Sequence, residues 1–143
     1  MSGYFEDRLK DLSFQVMSSE KNRGLRQCQI GAYWATKAHF TAYDEPALIA
    51  LPTGAGKTAL MMLLAFGLEA HRVLVVSPSD VLRTQTHQKF SKLEGLVKAG
   101  VIDQGYDRPS VWKQTSRITR SETWAELEQY DVIVALPHNI STE

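Results

Sequence analysis

The stretch Leu51-Pro52-Thr53-Gly54-Ala55-Gly56-Lys57-Thr58 governs the reading of the whole chain. It stands between an apolar run, Ala47 to Leu51, that predicts a short strand, and Lys57 to Leu68, that predicts a helix apolar on nearly all sides. Gly54 and Gly56 lack Cβ atoms, so a backbone joining strand to helix can fold tightly around an anion there. The N–H groups of these glycines, of Lys57 and of Thr58 point at phosphate, with the positive end of the helix dipole behind them. Lys57 is a point charge for the β- and γ-phosphates, and the Thr58 hydroxyl is a ligand for Mg²⁺. The strict pattern opens on Gly or Ala where this chain has Leu51, but the small residues it requires are in place at 54 and 56.

Working outward, strand and helix alternate. Arg72 to Val76 and Asp131 to Ala135 are β-branched runs, apolar on both faces as central parallel strands are, and Val111 to Gln114 predicts a further strand. Ser79 is read as the cap of a helix reaching Leu93, and Ser121 as the cap of another through Gln129. Ahead of the phosphate loop, a helix is predicted from Leu25 to Phe40 with Leu25, Cys28, Ala32 and Ala35 on one stripe. A first helix is predicted from Tyr4 to Val16 on the spacing of Phe5, Leu9, Leu12 and Val16. Two soft joints are expected, Ser18 to Gly24 and Gly95 to Ser110. The series predicts an α/β domain built on a parallel sheet.

Composition narrows the function. Of 143 residues, 43% are hydrophobic and 22% charged, which excludes a disordered or collagen-like chain. No apolar run reaches the ~18 residues of a membrane span, and the first residues lack a signal-peptide layout, so a cytoplasmic protein without membrane contact is expected. The single cysteine, Cys28, makes neither an internal disulfide nor a multi-cysteine zinc site. Sixteen basic and sixteen acidic residues cancel, so any nucleic-acid reading must rest on motifs.

Pro52 to Thr58 resembles motif I of the superfamily 2 helicases, the group of the DEAD/DEAH-box proteins and type III restriction subunits. Leu25-Arg26-Gln27-Cys28-Gln29 resembles that group's Leu-Arg-x-x-Gln element, whose glutamine reads adenine. An amide can pair with adenine N6 and N7, and Arg26, Gln29 and Tyr33 share one helix face. Val75 to Gln85 resembles motif Ia, and Asp131 to Ile140 a later strand-and-turn motif, both of which touch a nucleic-acid strand in the family. The resemblance implies ATP and Mg²⁺ as cofactors, held by Arg26, Gln29, Pro52, Thr53, Gly54, Ala55, Gly56, Lys57 and Thr58, with Thr58 on the metal. It implies DNA or RNA, as a single strand, at Pro78, Ser79, Arg83, Gln85, Pro137 and Asn139. Leu136 stands where the family commonly has a threonine, and His138 is read as a turn residue rather than a base.

The family also needs an Asp-Glu pair directly after an apolar strand, and no apolar run here ends in one. Asp131 precedes its strand, and Asp80 is better explained by motif Ia. No residue is therefore assigned a catalytic role. The expected fold is a P-loop NTPase (RecA-like) parallel sheet flanked by helices, truncated before the Asp-Glu (Walker B) strand. An N-terminal helix and polar joint are expected over 1–24 and a partial RecA-like ATP-binding domain over 25–143. The expected function is the ATP-binding portion of a helicase or translocase, of a restriction or other defence system, working with the remainder of a larger helicase or a complementing subunit. The chain alone is expected to bind nucleotide without efficient hydrolysis, and to self-associate through an unpaired sheet edge. The alternative is a non-enzymatic nucleotide-binding or interaction module that kept the fold.

Overall fold

The computed structural model describes residues 2–17, 19 and 23–141. Two helices precede the sheet, α1 (Gln27–Ala42) and α2 (Lys57–Gly67). Strand β1 (Val73–Val76) leads into α3 (Asp80–Lys92) and α4 (Glu94–Lys98), then β2 (Val111–Lys113). Helix α5 (Ser121–Glu126), β3 (Val132–Ala135) and α6 (Pro137–Ile140) complete the order. The three strands lie β1-β3-β2, all parallel, with Val73 and Val111 both opposite Val132. This is the expected parallel α/β architecture.

Burial follows the sheet order. Every residue of central β3 is buried, as its four consecutive apolar side chains require. Strand β1 departs from the expectation of a central strand: among the described residues it pairs with β3 alone, and Leu74 and Val76 are exposed. Helix α2 buries Leu60, Met62, Leu63 and Phe66 in the main core, so its all-round apolar character is explained by neighbours on several sides. On α1 the buried stripe is Gln29, Tyr33 and Thr36, and the predicted Cys28 and Ala35 face outward. Thr36 donates to the Ala32 carbonyl at 2.7 Å, which makes a hydroxyl tolerable on the packed face.

Four other expectations are corrected. Residues 47–51 form no strand, and Leu48 is 96% exposed. A strand exists only through its partner's hydrogen bonds, and no described segment pairs with this one. The predicted Tyr4–Val16 helix is a turn followed by one 3₁₀ turn at Leu9–Asp11. Asp7 has φ of 61°, outside any right-handed helix. Tyr4 and Phe5 enter the core together instead, with the Phe5 and Phe66 rings edge-to-face at 5.0 Å. Ser121 is the first residue of α5 and does not cap it; Arg120 holds the cap position without a side-chain bond. The joint expected at 95–110 is packed, with Leu96, Val101 and Ile102 buried and Gly95 so close to α2 that a Cβ would lie 2.6 Å from that of Ala59. In the other joint, Ser18, Glu20, Lys21 and Asn22 lie outside the described residues.

Candidate functional site

The phosphate loop is set by two glycines in left-handed backbone, Gly54 at φ 81° and Gly56 at φ 86°. Gly56 is the position before α2, and no side chain caps that helix start. The first N–H groups of α2 therefore remain for an incoming anion, and the dipole adds its positive end. Gly56 has a second reason to be glycine, since a Cβ there would sit 2.3 Å from Gln29 Nε2. Pro52, Thr53 and Gly54 are exposed along the loop, whereas Ala55 is buried beneath it. Ala55 N–H donates to the Pro52 carbonyl at 3.2 Å, closing the turn.

Two residues of α1's start hold this loop from behind. Gln29 Nε2 donates to the Gly56 carbonyl at 3.0 Å, and Gln29 Oε1 accepts from the Arg26 N–H at 2.9 Å. Arg26 Nη1 donates to the Gly54 carbonyl. Arg26 and Gln29 are thus brought to the phosphate loop, as the sequence reading grouped them. Tyr33 is not: it is buried against α2, where a Cβ on Gly67 would strike its ring. The Gln29 amide, 6% exposed, keeps one N–H and one oxygen lone pair beyond these bonds.

In front of the loop lies a cleft of about 380 Å³ lined by Gly54, Gly56, Lys57, Thr58 and, across from them, Lys89 and Lys98. Lys98 Nζ is 2.6 Å from Glu94 Oε1, and that ion pair holds the Glu94 carboxyl below the usual range. Sequence reasoning did not include Lys89, Glu94 or Lys98; the i, i+4 spacing of Glu94 and Lys98 signals the pair, but only the packing of α4 on α2 brings it to the loop. The donor set fits a nucleotide's phosphates with Mg²⁺: an uncapped helix start, a loop only glycine can form, an ammonium and a hydroxyl.

The strand-end residues divide into two groups. Pro78, Ser79, Gln85 and Pro137 are exposed beyond β1 and β3, and Ser79 Oγ caps α3 by accepting from the Leu82 N–H at 3.4 Å. Arg83 and Asn139, also assigned to a nucleic-acid strand, are instead buried beneath that surface and bonded to each other. Both carboxylates weighed as catalytic substitutes are engaged. Asp80 Oδ1 lies 2.5 Å from Arg83 Nη2, and Asp131 Oδ2 accepts from the N–H and the hydroxyl of Ser110, each at 2.7 Å.

A parallel α/β sheet with a glycine phosphate loop opening a helix is the architecture of a P-loop nucleotide-binding domain. The chain belongs to the family described as type III restriction enzyme, res subunit, whose sequence model matches residues 22–143. That family is ATP-dependent and helicase-like, which implies use of ATP and Mg²⁺ and interaction with nucleic acid. Searches of curated proteins and of solved structures returned no match. No described helix is long and apolar enough to cross a membrane.

Proposed function

We propose that the chain binds ATP with Mg²⁺ at the phosphate loop and a single strand of DNA or RNA across the ends of β1 and β3, as the ATP-binding portion of a helicase or translocase. The observation that carries this reading is the pair of positive-φ glycines ahead of an uncapped α2. Lys57 meets the phosphates, Thr58 the metal, and Pro52, Thr53 and Ala55 shape the loop. Gln29 reads the adenine edge with the N–H and lone pair left over from its bonds to Gly56 and Arg26, so base identity and loop geometry are joined in one side chain. Pro78, Ser79, Gln85 and Pro137 form the strand-facing surface, and Ser79 with the start of α3 offers it a hydroxyl and backbone N–H groups.

Binding without efficient turnover is the expected activity of this chain alone, because Asp80 and Asp131 are each committed to another partner. A second copy of the chain is the occupant proposed for the open edge of β1, where Leu74 and Val76 flank an apolar groove of about 470 Å³. The stretch 18–24 is read as the junction of an N-terminal arm with the ATP-binding unit. A cytoplasmic defence system such as restriction, with a larger helicase or complementing subunit, is the setting we propose. The test is equilibrium binding of ATP·Mg²⁺ and of labelled single strands, with phosphate release measured alongside. Saturable binding of both with negligible release supports the reading. Release near ~1 s⁻¹, the low end of typical turnover, overturns the statement on hydrolysis.

A further inference from the structure

Arg83 lies in the first turn of α3 and is only 7% exposed. A guanidinium carries five N–H donors in a rigid fork, and three separate turns accept from this one. Nη2 donates to Asp80 Oδ1 at 2.5 Å, at the start of α3. Nη1 donates to the Gln114 carbonyl at 2.6 Å, just past β2, and to Asn139 Oδ1 at 3.1 Å, just past β3. Asn139, with no exposed surface, carries the connection further. Its Oδ1 also accepts from the Leu136 N–H at 2.8 Å, and its Nδ2 donates to the Thr115 carbonyl at 3.4 Å. One cation thus ties together the turns that follow all three parallel strands.

Burying a charge under a surface is costly unless it is paired and bonded, and Asp80 supplies the only carboxylate bonded to it among the described residues. Arg83 Nε is buried with no partner among the described residues, so this guanidinium is held here despite an unsatisfied donor. Lysine could not replace it, since an ammonium is a point charge and cannot hold acceptors in fixed planar directions.

We propose that Arg83 is a positioning residue for nucleic-acid binding. It fixes the start of α3 against the Leu136–Asn139 turn, so that the exposed groups of both meet successive phosphates of one strand. The inference rests on the nucleic-acid reading above and reassigns Arg83 from contacting the strand to aligning what contacts it.

Asp80 separates the two roles by sign. Its side chain is 70% exposed, so Asp80→Asn removes the charge without opening a cavity, while leaving the buried Arg83 without its carboxylate partner. As a bare surface carboxylate it repels a polyanion, and its removal would tighten strand binding. As the anchor of Arg83, its removal loosens the turns and weakens binding. The experiment measures fluorescence anisotropy of labelled oligothymidylate and oligouridylate with the 143-residue chain, its Asp80→Asn variant and its Arg83→Lys variant, below their melting temperatures. Amide exchange across 114–118 and 136–141 is followed in parallel. Both variants are expected to bind about three- to tenfold more weakly, as when the competent arrangement becomes a minority, with faster exchange at Leu136. Asp80→Asn binding as tightly as wild type, or more tightly, overturns the role of Arg83 alone. Wild type binding neither strand overturns the nucleic-acid reading, and this inference with it.

Discussion

Gln29 and Gly56 are joined by a hydrogen bond of 3.0 Å from the side-chain amide of one to the carbonyl of the other. The bond links the first turn of α1 to the residue that opens α2, so the shape of the phosphate loop depends on a glutamine twenty-seven positions earlier in the chain. The close approach is possible only because position 56 has no side chain.

Gly56→Ala tests that dependence. Alanine meets two penalties there, a left-handed backbone costing roughly 1–2 kcal/mol and a Cβ driven into Gln29 Nε2. Nucleotide affinity is expected to fall at least tenfold, with a lower melting temperature. Calorimetry showing wild-type affinity in this variant would mean that the loop's conformation does not matter for binding.

Gln29→Ala separates bracing from base reading. Loss of the brace weakens ATP and GTP alike, whereas loss of adenine recognition brings ATP down towards GTP. The account predicts both, with the ATP:GTP affinity ratio moving towards one. An unchanged ratio leaves Gln29 as a brace only.

Helices α1, α2, α3 and α5 and the three strands were legible from local pattern, and the phosphate loop from residue identity, because each is a local property. The helix expected over Tyr4–Val16 does not form, and α4 and α6 were not anticipated. Two glycines flanking Ala55 in a strand-to-helix position already require backbone that other residues avoid, and the observed φ angles agree. What depends on distant partners was not legible. Residues 47–51 have a strand's composition, yet no described strand pairs with them. The buried face of α1 includes Gln29, Tyr33 and Thr36, so apolar spacing placed Leu25 and Ala32 against the core but missed the polar members of the face and included the exposed Cys28 and Ala35. The spacing of Asp80 and Arg83 marks a pair on one helix, but Gln114 and Asn139 lie 31 and 56 positions from Arg83 and join it only through the sheet order.

The open edge of β1 predicts self-association. Leu74→Lys places a charge on the exposed face of an edge strand, a substitution that discourages pairing with another chain. Sedimentation velocity over a concentration series is expected to show wild-type association that the variant reduces. Identical behaviour of the two proteins would exclude β1 as the contact.

Alkaline pH tests the anchoring of the N-terminal segment. Burial, ahead of the nearby Tyr106, pushes the Tyr4 phenol well above its ordinary value near 10, and its hydroxyl donates to the Asp107 carbonyl at 2.5 Å. The folded value exceeds the unfolded one, so Tyr4's contribution to stability is full below about pH 10 and is lost as the pH rises beyond it. Melting temperatures from pH 8 to 11 are expected to fall more steeply above pH 10 in wild type than in Tyr4→Phe. Parallel curves would show that Tyr4 is not held neutral by the fold.

The most direct test of the account is isothermal titration of ATP with Mg²⁺ into wild type and Lys57→Ala. Lys57 lines the cleft, opens α2 and is exposed, so its replacement leaves the core unaltered. The account predicts saturable binding to wild type and a loss of about 1.5–3 kcal/mol in the variant, the value of a charge-assisted phosphate contact. Equal affinity in the two proteins would contradict the assignment of the phosphate loop as the nucleotide site.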